Sequence, residues 1–249
     1  MKLLLLNGNT DPLVTERLAA AARAMSPHEI IPATARFGAR YIATRAASAI
    51  AACAVLDALA EWVGHGNPHG FDAAIIACFG DPGLEAAREM LPIPVLGLAD
   101  ACITAALRLA PTAAFLTGGT AWVPMLEEFC LIRGHGSATI RIAAVTPTGD
   151  MIARAPEHAL TLLAEAAREQ VAAGAGVIVL GGAGLVGLAE RLQPHVSVPV
   201  LDCLRVTLEL APEARVGRAE MQAAPSVGLS EALEAQIGGR CPLNPAAGD

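Results

Sequence analysis

The stretch FDAAIIACFGDPGL, residues 71–84, decides how the rest of the chain is read. An apolar run from Ala73 to Ala77 ends in a thiol at Cys78. Gly80, Asp81, Pro82 and Gly83 then turn the chain into a helical pattern beginning at Leu84. Short apolar runs bounded by Gly and Pro are the pattern of buried parallel strands. In an open α/β sheet ligands sit beyond the carboxyl ends of such strands, which is where Cys78 falls.

The stretch has a counterpart. A shift of 104 lays residues 72–84 over 176–188, GVIVLGGAGLVGL, and matches Gly80, Gly83 and Leu84 with Gly184, Gly187 and Leu188. Residues 94–96 pair with 199–201 at a shift of 105, and LLLLNGNT, 3–10, pairs with AAFLTGGT, 113–120, at a shift of 110. Three matches in one order predict two similar halves. In this alignment Gly182 stands where Cys78 stands in the first half.

Composition sets the class. The 249 residues are 54% hydrophobic and 16% charged, ample for a buried globular core. A net charge of -7 with no cluster of Lys and Arg excludes a nucleic-acid footprint. Lys2 is the only lysine, which leaves none for a pyridoxal Schiff base, so chemistry beside a carbonyl is expected to proceed without pyridoxal phosphate. The six cysteines, Cys53, Cys78, Cys102, Cys130, Cys203 and Cys241, show neither CxxC spacing nor partnering His pairs. They read as free thiols rather than metal ligands. With no cleavable leader and no uninterrupted apolar run of about 18 residues, a cytoplasmic chain that does not engage membranes is expected. Its Ala-rich helices suit a homo-oligomer.

Strand patterns fall at 2–7, 29–33, 72–78, 94–97, 113–117, 138–145, 176–181 and 198–202, with helical patterns at 12–25, 43–63, 84–90, 100–109, 121–131, 156–173, 185–192 and 203–210. The alternation predicts an α/β fold of two pseudo-symmetric, doubly wound halves, each with a four-stranded parallel sheet. Residues 1–110 form the first half and 111–214 the second. Residues 215–249 form a packing arm and tail, with one helical stretch at 230–237. Strand ends of the two halves then face each other across a cleft.

The candidate site groups lie at those ends. Asn7, Gly8, Asn9 and Thr10 follow the first strand, and Thr117, Gly118, Gly119 and Thr120 follow its counterpart. Small residues there let backbone N–H groups approach an anion, although Thr10 and Thr120 also suit plain helix caps. Cys78 shares such a turn, and a helix N-terminus favours the thiolate needed to shuttle a proton at carbon. Cys53, Cys102 and Cys130, inside helical patterns, read as small core hydrophobes. A rival reading begins at Gly182-Ala183-Gly184-Leu185-Val186-Gly187, a GxGxxG after a strand, with Asp202 placed 20 residues on to bind a ribose. The late position of this motif and its origin in the repeat count against a dinucleotide site.

ACFGDPGLEAARE (77–89), VIVLGGAGL (177–185), the opening LNGNT and the SVPVLD strand (197–202) resemble the aspartate/glutamate/hydantoin racemase superfamily, nearest to hydantoin and allantoin racemases. The resemblance covers most of residues 1–212. It implies two α/β halves around a small carbonyl or carboxylate substrate. A cysteine from each half then moves a proton on opposite faces of an acidic carbon, without a cofactor. Carried onto this sequence, Cys78 is the first acid/base, and Asn9 and Thr117 contact substrate. Tyr41, in FGARYIATR (37–45), lies on a substrate-facing loop. The N–H groups of Phe79, Ala183 and Gly184, with Gly80, Gly118 and Gly182 beside them, form an oxyanion pocket.

Three departures matter. The family's opening proline is Gly8, its Thr-Thr pair is Thr117-Gly118, and its second catalytic cysteine is Gly182. Cys203 is the thiol nearest in sequence to Gly182. One thiol suffices to protonate an enediolate on a single face, as the superfamily's arylmalonate decarboxylases do with the thiol of the opposite half. The expected function is thus a cysteine-dependent racemase or isomerase acting beside a carbonyl. A single-thiol decarboxylase or cis-trans isomerase is the alternative, and a non-catalytic binder of small carboxylates or ureides is a third.

Overall fold

A computed structural model describes residues 1–145, 155–217 and 223–238. The first sheet is formed by β1 (Lys2–Asn7), β2 (Glu29–Thr34), β3 (Ala73–Ile76) and β4 (Val95–Gly97), in the order β2-β1-β3-β4. The second is formed by β5 (Ala113–Gly118), β6 (Ile140–Val145), β7 (Val177–Gly181) and β8 (Val200–Asp202), in the order β6-β5-β7-β8. All six strand pairings are parallel. The predicted strands are all present, several of them shorter. β3 ends at Ile76, and Cys78 lies in the turn beyond it.

The connecting helices are α1 (Pro12–Met25), α2 (Arg45–Val63), α3 (Leu84–Met90) and α4 (Leu98–Leu109) in the first half. In the second they are α5 (Trp122–Ile132), α6 (Pro156–Ala172), the short α7 (Ala189–Leu192) and α8 (Cys203–Leu210). The helix expected over 185–192 begins only at Ala189. Gly187 adopts a left-handed φ of 85° and donates its N–H to Asp202, which keeps residues 185–188 in a turn. Asp11 rather than Thr10 caps α1, and α5 starts without a side-chain cap, so neither Thr10 nor Thr120 is a cap. In the predicted C-terminal arm, α9 (Glu231–Ile237) packs against α2 and buries Leu233. Residues 239–249, the rest of that arm, lie outside the described residues, as does Cys241.

Side chains along a strand alternate between faces, and here the alternation builds three cores. Leu3, Leu5, Ala73 and Ile75 of the first sheet share one cluster with Ala113, Phe115, Val177 and Val179 of the second, with α4 packed on α8. Leu4, Leu6, Ala74 and Ile76 pack outward beneath α2, and Ala114, Leu116, Ile178 and Leu180 pack outward beneath α6. α2 has the length and mean hydropathy (1.6) of a membrane span. Here it covers the first sheet, with Val55, Leu59 and Val63 buried. Its buried Asp57 accepts from Arg36 at 2.7 Å.

The register tests the repeat. Leu6 pairs with Ile76, and Leu116 pairs with Leu180. Cys78 and Gly182 each lie two residues past those partners, so they occupy equivalent positions in the two sheets.

Candidate active site

In a 2-1-3-4 sheet the connections diverge between the first and third strands, which opens a crevice at their carboxyl ends. Both halves present that crevice to one cavity of about 890 Å³. Asn9 reaches it from the loop after β1, Cys78 and Phe79 from the turn after β3, Thr117 and Gly118 from the end of β5, and Gly182, Ala183 and Gly184 from the turn after β7. Tyr41 lines it from the loop after β2. Gly80 does not. The Trp122 ring fills the space into which a side chain at Gly80 would project, so Trp122 rather than Gly80 lines the cavity there.

Buried Asn7 holds the first turn. Its Nδ2 donates to Asn9 Oδ1 at 2.9 Å, to Thr15 Oγ1 at 3.0 Å and to the Asp11 carbonyl at 3.1 Å. Asn9 Oδ1 also accepts from the Asp11 N–H at 2.9 Å. Among the described residues Asn9 Nδ2 and Thr117 Oγ1 make no hydrogen bond, and neither do the N–H groups of Phe79, Ala183 and Gly184. Groups of this kind need a partner when water is displaced. They are donors available to a substrate's carbonyl oxygens.

Cys78 is half-buried at the cavity wall, with Gly8 beside it. Burial, reinforced by the charge of Asp81, pushes its thiol up to about 12. The expectation that a helix N-terminus favours the thiolate is therefore corrected. Desolvation and a carboxylate outweigh the dipole of the short α3, and the thiol keeps its proton. Asp81 was not anticipated as a site group. It is 4% exposed, its own carboxyl is pushed up to about 7 by burial, and it accepts the Ala99 and Asp100 N–H groups at 3.0 and 2.8 Å.

Among the described residues the other thiols do not line the cavity. Cys203 is fully buried at the start of α8, its pKa driven up by burial, with the Gly182 N–H bonded to its sulfur. It lies behind the turn. Cys102 and Cys130 are buried as expected, whereas Cys53 is exposed on the solvent side of α2. The GxGxxG reading fails at its acid. Both Asp202 oxygens are engaged, one by Leu204 and Arg205 N–H and the other by Gly187 N–H, which leaves nothing for a ribose.

Two aromatic rings close the cavity floor. Phe79 occupies the space a side chain at Gly181 would fill and meets Phe115 edge-on at 5.7 Å, while Trp122 covers Gly80. Each ring crosses from one half onto a glycine of the other. The sequence reading also missed Arg17 and Arg40, two guanidiniums in a lining that contains no acidic residue among the described residues.

The family model for Asp/Glu/hydantoin racemases matches residues 3–211. The chain belongs to the Asp/Glu/hydantoin racemase family. A hydantoin racemase of Paenarthrobacter aurescens is 36% identical over 217 residues, covering 85% of this chain and 89% of that protein. The crystal structure of an allantoin racemase from Pseudomonas fluorescens superposes with a TM-score of 0.76 at 30% identity, covering 86% of this chain and 90% of the other. Arylmalonate decarboxylase, at 16% identity and a TM-score of 0.59 over 87% and 96% of the two chains, shares the fold. Membership makes the chain a racemase of this family of two-halved α/β proteins, with hydantoin and allantoin racemases among its relatives.

Proposed function

We propose that this racemase moves a proton on and off the carbon beside a carbonyl of a hydantoin or ureide, with Cys78 as an acid/base. The observation that carries the proposal is that Cys78 lines one cavity together with hydrogen-bond donors from both halves. When a proton leaves carbon, charge flows onto the neighbouring carbonyl oxygen. Fixed donors aimed at that oxygen lower the barrier most effectively. The N–H groups of Phe79, Ala183 and Gly184 supply them, with Asn9 and Thr117 orienting the second carbonyl. A thiol pushed up to about 12 carries its proton at neutral pH, and its thiolate, once formed, is a strong base.

A second reading has its own observation. Gly182 stands where a second thiol would stand, so cysteine chemistry reaches only one face of the substrate. Loss of carbon dioxide from an activated malonate needs one protonation and one face.

Proton NMR in deuterated water, with enantiopure 5-substituted hydantoins and an arylmalonate, tests both. Deuterium entering a hydantoin with loss of optical activity, reduced about 100-fold or more in Cys78→Ala, is the expected result. Carbon dioxide release with one-faced labelling would assign the decarboxylase instead. Binding without exchange would make the protein a ureide or carboxylate binder.

A further inference from the structure

Racemisation requires a proton carrier on each face of the carbon, and Gly182 provides none. Cys203, the nearest thiol in sequence, is sealed behind the Gly182 turn. Among the described lining residues, the side chains that carry a polar hydrogen are Cys78, Tyr41, Asn9, Arg17, Arg40, Thr117, Thr120 and Trp122. Guanidinium, amide, indole and aliphatic hydroxyl groups do not exchange a proton in the accessible range, whereas thiols and phenols do. Tyr41 is the one that remains.

Its position fits. Tyr41 belongs to the first half but reaches across the cavity mouth. Its hydroxyl donates to the Gly118 carbonyl at 3.4 Å and comes within 3.4 Å of where a Cβ on Gly119 would stand. Gly118 follows Thr117, whose strand partner is Gly181, so the phenol stands beside the turn that Gly182 opens. A Cβ built on Gly182 meets nothing within 4 Å, so space is left open on that side. The loop carrying Tyr41 is held by buried Ile42, by Thr10 N–H donating to Ala39 at 3.2 Å, and by an Arg45–Glu128 ion pair between the halves. The ring is 64% exposed, which gives the hydroxyl contact with water.

We propose that Tyr41 is the second catalytic acid/base, serving the substrate face opposite Cys78 in place of the thiol that Gly182 lacks. This rests on the racemase reading above. In one direction the Cys78 thiolate takes the proton from carbon, and the C–H electron pair moves into an enolate. The Tyr41 hydroxyl then gives its proton to the other face and becomes a phenolate. Water returns a proton to Tyr41 and accepts the one held by Cys78. In the other direction the phenolate abstracts and the thiol donates.

The test compares wild type with Tyr41→Phe in deuterated water, on each hydantoin enantiomer separately, reading deuterium at C5 by NMR and configuration by chiral chromatography. The expected result is that Tyr41→Phe loses interconversion about 100-fold or more. It still exchanges the one enantiomer whose hydrogen faces Cys78, with retention. Interconversion within about threefold of wild type would overturn the proposal. So would exchange and interconversion falling together for both enantiomers, because a loop-positioning role predicts that pattern. A wild type that exchanges neither enantiomer would overturn the racemase reading itself, and this inference with it.

Discussion

Asp81 occupies the space that a side chain at Gly97 would need. From there it accepts the N–H groups of Ala99 and Asp100, at the start of α4. In the second half the residue equivalent to Gly97 is Asp202, which accepts the equivalent N–H groups of Leu204 and Arg205. The same helix start is thus capped from two different places in the chain. In the first half the capping carboxylate comes from the turn that carries Cys78, which couples it to that thiol.

That coupling gives a pH signature in stability. The Asp81 carboxyl is near 7 in the folded protein, facing Cys78, Asp100 and Arg133, against about 4 when unfolded. Between those values the folded state binds the extra proton. The Asp81 contribution to stability should therefore be greatest below pH 4, fall by up to a few kcal/mol as pH rises to about 7, and then level off. Asp81→Asn should flatten this slope in urea titrations at several pH values.

The thiol titrates higher. With Cys78 near 12, the rate of hydantoin deprotonation should climb about tenfold per pH unit over the neutral and mildly alkaline range without reaching a plateau. Because the Asp81 charge contributes to that value, Asp81→Asn should lower it. Ultraviolet titration of the thiolate would show the midpoint moving down, and no movement would separate the two groups.

Gly182→Cys asks whether a thiol can replace the phenol. The Cβ has room, but the φ of 118° suits only glycine, so the substitution should cost on the order of 1–3 kcal/mol in stability. In a Tyr41→Phe background it should restore interconversion of the hydantoin enantiomers by about tenfold or more. A double variant as inactive as Tyr41→Phe alone would place the Gly182 side chain outside the reacting face.

Arg17 and Arg40 predict preference among substrates. Arg17 makes no ion pair among the described residues, and Arg40 is 78% exposed and only loosely paired with Asp11, at 3.7 Å. A hydantoin with a carboxyalkyl group at C5 should show a lower KM than its carboxamide isostere, by about tenfold at most for charges this exposed. Salt, Arg17→Gln or Arg40→Gln should narrow the gap.

The sheets were legible because β1, β3, β5 and β7 are uninterrupted apolar runs bounded by turn residues, and the repeat then tied them into halves. Cys78 was legible for the same reason, as the residue just past a strand. The limits of sequence reading show at Asp81 and Arg17. Asp81 reads as an ordinary turn acid, and only the alignment of Gly97 with Asp202 hints that the first half lacks a cap that something must supply. Arg17 lies on α1, and nothing local indicates that this helix edge borders the cavity. Phe79 shows the same limit. Its place beside the thiol marks its N–H as a substrate contact, but nothing in the sequence shows that its ring fills the space over Gly181.

The two rings in the floor also act as a gauge. Phe79 resting on Gly181 and Trp122 resting on Gly80 hold the rims one aromatic thickness apart, twice over and in opposite directions. Neither glycine can acquire a side chain unless the facing ring shrinks, so these positions are free to change only as pairs. The width of the gap that a substrate must fit is therefore set by the rigid interior of the molecule. The loops that line the mouth can vary while the spacing between the two rims stays the same.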